Sequence, residues 1–248
     1  MITFGKLGRY GRLGNQMFQV ASTIGIARRL GYEVGFPRWE NHDAKERFGS
    51  TEDISVGDWF PAFKNYPTID PEPFYEYFVP WGFHGFDIPD GVSLVGHMQS
   101  ELYFAHCADE IRALFTMDDD KAKVPYTAIH VRMGDYGSSY HPICPYDYYG
   151  SAMHRMKGRF MVFSDEPQRG WDMLKPLLGP DDVLFHGDTR QAFHRMKKCH
   201  AHIIANSTFS WWAAWLAGGE VIAPSEWFGP DAAQLDTKDI YPKSWTVV

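Results

Sequence analysis

Four polar clusters in the second half of the chain each follow an apolar run. Arg132, Gly134, Asp135 and Tyr136 follow "TAIHV", and Ser164-Asp165-Glu166 follow "FMVF". Gly187-Asp188 follow "DVLFH", and Asn206-Ser207-Thr208 with Phe209-Ser210 follow "AHIIA". A guanidinium grips two phosphate oxygens at once, which suits Arg132 to a diphosphate. Ser207, Thr208 and Ser210 stand where a helix begins, and hydroxyls with main-chain N–H groups at such an end attract anions. A plain N-cap needs one such residue; three within four positions favour the anion site. Asp188 offers acceptor oxygens to guanine N1–H and N2–H₂ or to ribose hydroxyls. Asp165 and Glu166 compete for that role, or act only as helix-start carboxylates. Asp135 and His130 are the candidate general bases, and Asp135 could equally hold the Gly134 turn. Together these residue types suit a diphosphate joined to a polar base or sugar.

A fifth stretch lies at the start. "MITFGKLGRYGRLGNQMFQV" puts glycines at 5, 8, 11 and 14 between a short apolar run, Ile2 to Phe4, and a helical pattern of Met17, Phe18, Val20, Ala21, Ile24, Ala27 and Leu30. Strand, glycine loop and helix N-terminus together make an anion site. Yet no Gly-Lys-Ser/Thr closes the loop and the spacing is not G-x-G-x-x-G, so a flexible turn fits equally well.

These clusters need elements to hold them. After about residue 120, short buried-looking strands ("TAIHVR", "FMVFSD", "DVLFHGD", "AHIIANS", "EVIAPS") alternate with helix-length segments ("YDYYGSAMHRMK", "QRGWDMLKPLL", "TRQAFHRMKKC", "FSWWAAWLA"), the second broken at Pro176. That alternation predicts βαβ units and a parallel sheet, with ligands beyond the carboxyl ends of the strands. The earlier part is less regular. Residues 60–86, crowded with proline and aromatics, read as packed loops, and "GVSLVGHMQSELYF" reads as a strand leading into a helix through "ADEIRALF". "MDDDKAKVP" supplies a boundary, giving one domain over 1–120 and another over 121–248, with a C-terminal tail free to pack back on the first.

Composition excludes some partners. A net charge of −7 argues against a non-specific grip on nucleic acid. Three cysteines without C-x-x-C spacing predict free thiols in a reducing, cytoplasmic setting, and no apolar run is long enough to span a membrane. No Asp-x-Asp ends a suitable strand, "DDD" at 118–120 reads as solvated, and "CHAH" at 199–202 reads as the start of a strand, so no metal is expected.

"GRLGNQMFQ" (11–19), "HVRMGDY" (130–136), "FMVFSDE" (160–166) and "CHAHIIANSTFSWWAAWLA" (199–217), in this order, resemble the bacterial α-1,2-fucosyltransferases, glycosyltransferase family 11. The resemblance covers most of the chain and is weakest over 35–90. It implies an α/β fold of GT-B type, two Rossmann-like halves with parallel sheets facing a central cleft. It implies an inverting, metal-independent fucosyltransferase that needs no cofactor. The donor, GDP-β-L-fucose, is a substrate, and the acceptor is an oligosaccharide, at O2 of a terminal galactose. By the same resemblance Arg132 binds the β-phosphate beside His130, and Asn206, Ser207, Thr208 and Phe209 cradle the diphosphate. Asp188 takes the place of a guanine-reading acid by a looser alignment. The resemblance makes the first domain the acceptor side and the second the donor-binding domain; in the first, Asn15 is a catalytic candidate that faces the fucose and the acceptor, with Gly14 and Arg12 as donor contacts. Met133 stands where the family has a second arginine, and Arg12 where many bacterial members have glycine. The chain is also short for the family in its acceptor half. A different linkage, or an inactive nucleotide- or carbohydrate-binding protein, remains the alternative.

Overall fold

The computed structural model describes residues 1–40, 42, 55–70, 72–117 and 122–248. "DDD" at 118–120 lies outside them. The chain divides into two compact units, Met1–Asp118 with Leu235–Pro242, and Asp119–Gln234 with Lys243–Val248. Both units are α/β with parallel strands, the class that the strand–helix alternation predicts.

In the first unit, helix α1 (Leu13–Leu30) is buried on nearly every side. The pattern predicts an amphipathic helix, but the polar face is covered too. Gln16, Gln19, Ser22 and Thr23 are all fully buried. Each pays for burial with a hydrogen bond: Gln16 Nε2 to Gly11 O, Gln19 Nε2 to Tyr10 O, Ser22 Oγ to Met98 O and Thr23 Oγ1 to Gln19 O. The helix ends at Gly31, whose φ of +73° suits a left-handed C-terminal residue. Strands β1 (Tyr75–Phe78) and β2 (Val92–Val95) pair in parallel, and single bridges join Thr3 to Ser93, Ile2 to Val34 and Phe36 to Thr68. β1 falls within the stretch read as loops; Pro73 and Pro80 fence it, and its side chains are mostly exposed, so no alternation marked it. After β2 the chain makes two 3₁₀ turns before helix α2 (Ala108–Leu114), rather than one long helix.

The second unit holds β3 (Val124–Val131), α3 (Tyr146–Arg155), β4 (Phe160–Ser164), α4 (Pro167–Leu174), β5 (Val183–Leu184), α5 (Thr189–Lys197), β6 (Cys199–Ile203), α6 (Thr208–Ala217), β7 (Glu220–Ala223) and β8 (Thr246–Val247). Its six parallel strands lie in the order β5-β4-β3-β6-β7-β8. Numbered within the unit, that is 3-2-1-4-5-6, the doubly wound order of dinucleotide-binding folds. The order reverses between β3 and β6, and such a switch point opens a crevice at the strands' carboxyl ends. Ile129, Val131, Val162 and Ile203 fill the sheet's core with Tyr149 and Leu174 from the helices. From Trp211 to Trp215 α6 is apolar and buried all round, with Trp211 stacked on Trp215 and packed on Trp245.

Candidate functional site

The loops after β3 and β6 carry the most specific polar residues, and both leave the sheet at the switch point. Arg132, one residue past β3, is held between two carboxylates: its Nη1 lies 2.9 Å from Asp165 Oδ2 and its Nη2 2.5 Å from Asp135 Oδ1. Its guanidinium also sits over the Tyr136 ring, 5.4 Å from the centroid. The two acids are not equivalent. Asp165, past the end of β4, also accepts from Met133 N at 2.9 Å, and a side chain at Gly134 would strike it. It is therefore fixed in the turn, whereas Asp135 is the more exposed of the two, at 39% against 23%.

Across the switch point, Ser207 is the N-cap of α6, but its side chain caps nothing. The N–H groups of Phe209 and Ser210, which an N-cap hydroxyl ordinarily takes, are not taken by it. Ser210 Oγ instead donates to Ser207 O (3.2 Å), so it accepts from His130 Nδ1 at 2.9 Å. That fixes the Nδ1–H tautomer of His130. Burial pushes the His130 pKa down to about 4, with Asp165 opposing and Arg132 adding to the fall. His130 is thus a neutral, packed donor of one hydrogen bond and a weak base, and Asp135 is the better placed of the two candidates. Phe209 packs its ring on His130 and Phe193, which leaves its main chain as the part that can meet a ligand.

Two expectations need correcting. Asn206 is buried and its side chain is used up: Nδ2 donates to Pro142 O and Trp227 O, and Oδ1 accepts from Cys144 Sγ. It ties the loops after β3, β6 and β7 together and has no side-chain atom to spare for a donor. Asp188 does not end a strand, because β5 stops at Leu184. It caps α5 through a capping box, Oδ1 accepting from Gln191 N at 2.7 Å while Gln191 Oε1 accepts from Asp188 N at 3.0 Å. Asp188→Ala should therefore cost about 1 kcal/mol of stability, and Asp188→Ser should restore most of it. Denaturant melts of both variants check this; a fall in GDP affinity that persists in the serine variant would return the guanine role to Asp188. Glu166 pairs with Arg169 at 3.1 Å at the start of α4. His202 of "CHAH" is buried, with Nε2 2.9 Å from Met196 O, and His200 is exposed.

Around Tyr136, itself part of "HVRMGDY", stand residues that motif reading passed over: Tyr140, His141 and Phe228. Tyr136 gives its hydroxyl to Asn206 O at 3.0 Å and stacks on His141, centroids 4.9 Å apart and 15° from parallel. Tyr140 and Phe228 complete the cluster. The aromatic spacing of "DYGSSYH" was its only trace in the sequence.

The first unit positions its own residues. Arg12 is the N-cap of α1, Gly14 is buried in the first turn, and Asn15 is partly exposed. Asn15 Oδ1 accepts from Gln99 Nε2 at 2.8 Å, and Asn15 lies against Gly11, where φ is +87° and a side chain would collide with it. The glycine loop is a fixed structure rather than a flexible turn: Gly8, at φ +82°, touches the Glu40 carbonyl, and Gln16 and Gln19 hold the carbonyls of Gly11 and Tyr10.

A model of the family described as Glycosyl transferase family 11 matches residues 90–248. An alpha-1,2-colitosyltransferase of Escherichia coli is 32% identical over 180 residues, covering 62% of this chain and 61% of that protein. The O-antigen biosynthesis glycosyltransferase WbnK of Escherichia coli is 32% identical over 130 residues, covering 46% and 42%. The chain thus spans less than two thirds of the length of either. The galactoside alpha-(1,2)-fucosyltransferase 1 of Bos taurus is 24% identical over 277 residues, covering 91% and 69%. Among solved structures, POFUT1 in complex with GDP-fucose aligns with a TM-score of 0.48 at 12% identity, covering 88% of this chain and 95% of that one.

Proposed function

Since the chain belongs to glycosyltransferase family 11, we propose that it moves L-fucose from GDP-β-L-fucose, with inversion, to O2 of a terminal galactose in an oligosaccharide. One observation carries this reading: Arg132 and the uncapped start of α6 flank the same switch point, where a doubly wound sheet receives a diphosphate.

The diphosphate enters against Arg132 and displaces Asp135, the exposed partner, while Asp165 keeps the guanidinium aimed. As the glycosidic bond breaks, the sugar gains oxocarbenium character, by analogy with glycoside hydrolysis. The departing diphosphate gains charge, which Arg132 and the amides of Phe209 and Ser210 stabilise without reorganising. Asp135, released from Arg132, is then a carboxylate able to take the proton of the acceptor hydroxyl. The three cysteines are free, which suits work in the reducing cytoplasm, and among the described residues no helix is long and apolar enough to cross a membrane.

A second reading, transfer of colitose, is favoured by the 32% identity to the colitosyltransferase of Escherichia coli. GDP release from GDP-fucose with a panel of β-galactosides, followed by linkage analysis of the product, tests the first reading, and the GDP-linked colitose donor tests the second. Tight GDP binding with no turnover of either donor would make the chain a binding protein. Because a guanidinium and helix amides neutralise the leaving group here, transfer should survive excess EDTA in metal-free buffer. Complete loss, restored by Mg²⁺ or Mn²⁺, would sink this account of the phosphate site.

A further inference from the structure

The cluster beside Arg132 is a built surface. The loop 136–142 turns at Gly137, φ +106°, and closes with Gly137 N to His141 O at 2.8 Å and His141 N to Ser138 Oγ at 3.0 Å. It is zipped to the loop after β7 by Gly229 N to Tyr140 O (3.1 Å), Asp231 N to Ser139 O (3.2 Å) and a short hydrogen bond from Ser139 Oγ to Asp231. A side chain at Gly229 would strike the Ser139 carbonyl, so the two loops are in contact along their backbones. On this base the Tyr140 ring stands 38% exposed, steadied by His141 at 4.7 Å and Phe228 at 5.4 Å. His141 links it to Tyr136, on which Arg132 rests. The part of the ring that these neighbours leave uncovered is open to a ligand.

Its place narrows the ligand. The shelf rises from the ends of β3 and β7 and is keyed to the loop after β6, so it occupies the β6–β7 side of the switch point. In doubly wound folds the acid that follows the second strand serves the ribose, and here that strand is β4, on the other side. The nucleoside therefore belongs over β4 and the remainder of the ligand over the shelf. Its chemistry agrees: aromatic faces, a neutral imidazole whose pKa burial lowers, and the Asp135 carboxylate acting on that imidazole. A sugar ring has an apolar C–H face and polar edges, and matches both.

We propose that Tyr140, with His141 and Phe228, forms a stacking subsite for a pyranose ring beside Arg132. This rests on the glycosyltransferase reading. The ring comes from the acceptor or from the donor's sugar, and one set of measurements separates them. Saturation-transfer NMR on the full chain uses three probes: methyl β-D-galactopyranoside, GDP-fucose and GDP. In the Tyr140→Ala variant the ring C–H signals of the galactoside or of the fucose should be lost, with affinity for that probe about tenfold weaker. GDP should bind as before. Tyr140→Phe, which keeps the face and drops the hydroxyl, should retain the signals. Loss with galactoside assigns the shelf to the acceptor, and loss with fucose assigns it to the donor sugar. Weakened GDP, or no change with any probe, would overturn the proposal, as would a phenylalanine variant as damaged as alanine. If the unaltered protein binds neither GDP nor GDP-fucose, the transferase reading fails by itself, because the galactoside arm still reports on the shelf. Tyr140→Phe should melt with the parent and Tyr140→Ala only slightly earlier, since the ring packs on His141 and Phe228 without being enclosed.

Discussion

Arg132→Lys is expected to lower kcat about a hundredfold or more with GDP-fucose, and to leave the melting temperature nearly unchanged. The size follows from comparison with the loss of one fixed donor to a developing anion. Arg132 already spans two carboxylates with separate nitrogens, so its fork can hold Asp165 with one and a phosphate oxygen with the other. An ammonium is a compact point charge and cannot do both in one geometry. The phosphate contact tightens as the leaving diphosphate gains charge, so its loss falls on kcat rather than on KM. Stability should move little. Arg132 lies past the carboxyl end of β3 and its two carboxylates are partly exposed, so a lysine, which keeps a positive charge beside them, should lose only about 0–1 kcal/mol. Steady-state kinetics with varied donor, beside melts of both proteins, give the answer. A lysine variant with near-normal kcat removes the bidentate role, and one that melts far earlier makes Arg132 a structural residue.

What could be read from the sequence divides along physical lines. The alternation of apolar runs and helical patterns after residue 122 carried the parallel sheet, because strands buried on both faces must be continuously apolar. "IHVR", "FSDE" and "ANSTFS" were legible because polar residues at the ends of such runs fall at the sheet's carboxyl edge, where a doubly wound fold takes its ligand. The strand order was not legible: β5 and β8 are two residues each, too short to show a period, yet they complete 3-2-1-4-5-6. Asp188 was misplaced for the same reason, since a strand ending at Leu184 turns a strand-end acid into a cap. Asn206 looked like a ligand contact because its three partners come from Pro142, Cys144 and Trp227, distant in sequence. In the first unit, Gln16 and Gln19 read as the wet face of α1, and only the course of the glycine loop shows why they are dry.

Acidification should unfold the protein through its buried histidines, and His202 is the cleaner case. It is completely buried on β6, and burial lowers its pKa from 6.5 to about 4. Lys123 and His200 push the same way, while the bond to the Met196 carbonyl opposes them. Nε2 donates that bond, so Nδ1 is the site a second proton would take, and it is buried without a partner. Since the folded pKa lies below the unfolded one, the unfolded chain binds the proton first. Stability from the neutral ring is therefore fully present above about pH 6.5 and is lost as pH falls from 6.5 toward 4. Between pH 7 and pH 5 this amounts to about 2 kcal/mol for His202, and His130, also near 4, adds a comparable loss. Urea unfolding at the two pH values measures the sum. His202→Gln keeps an N–H for the Met196 carbonyl but cannot titrate, so it should cut the difference by about half. An unaltered pH dependence in that variant would mean that His202 titrates alike in the folded and unfolded chain, and a larger loss on acidification would mean that the ring is charged in the fold.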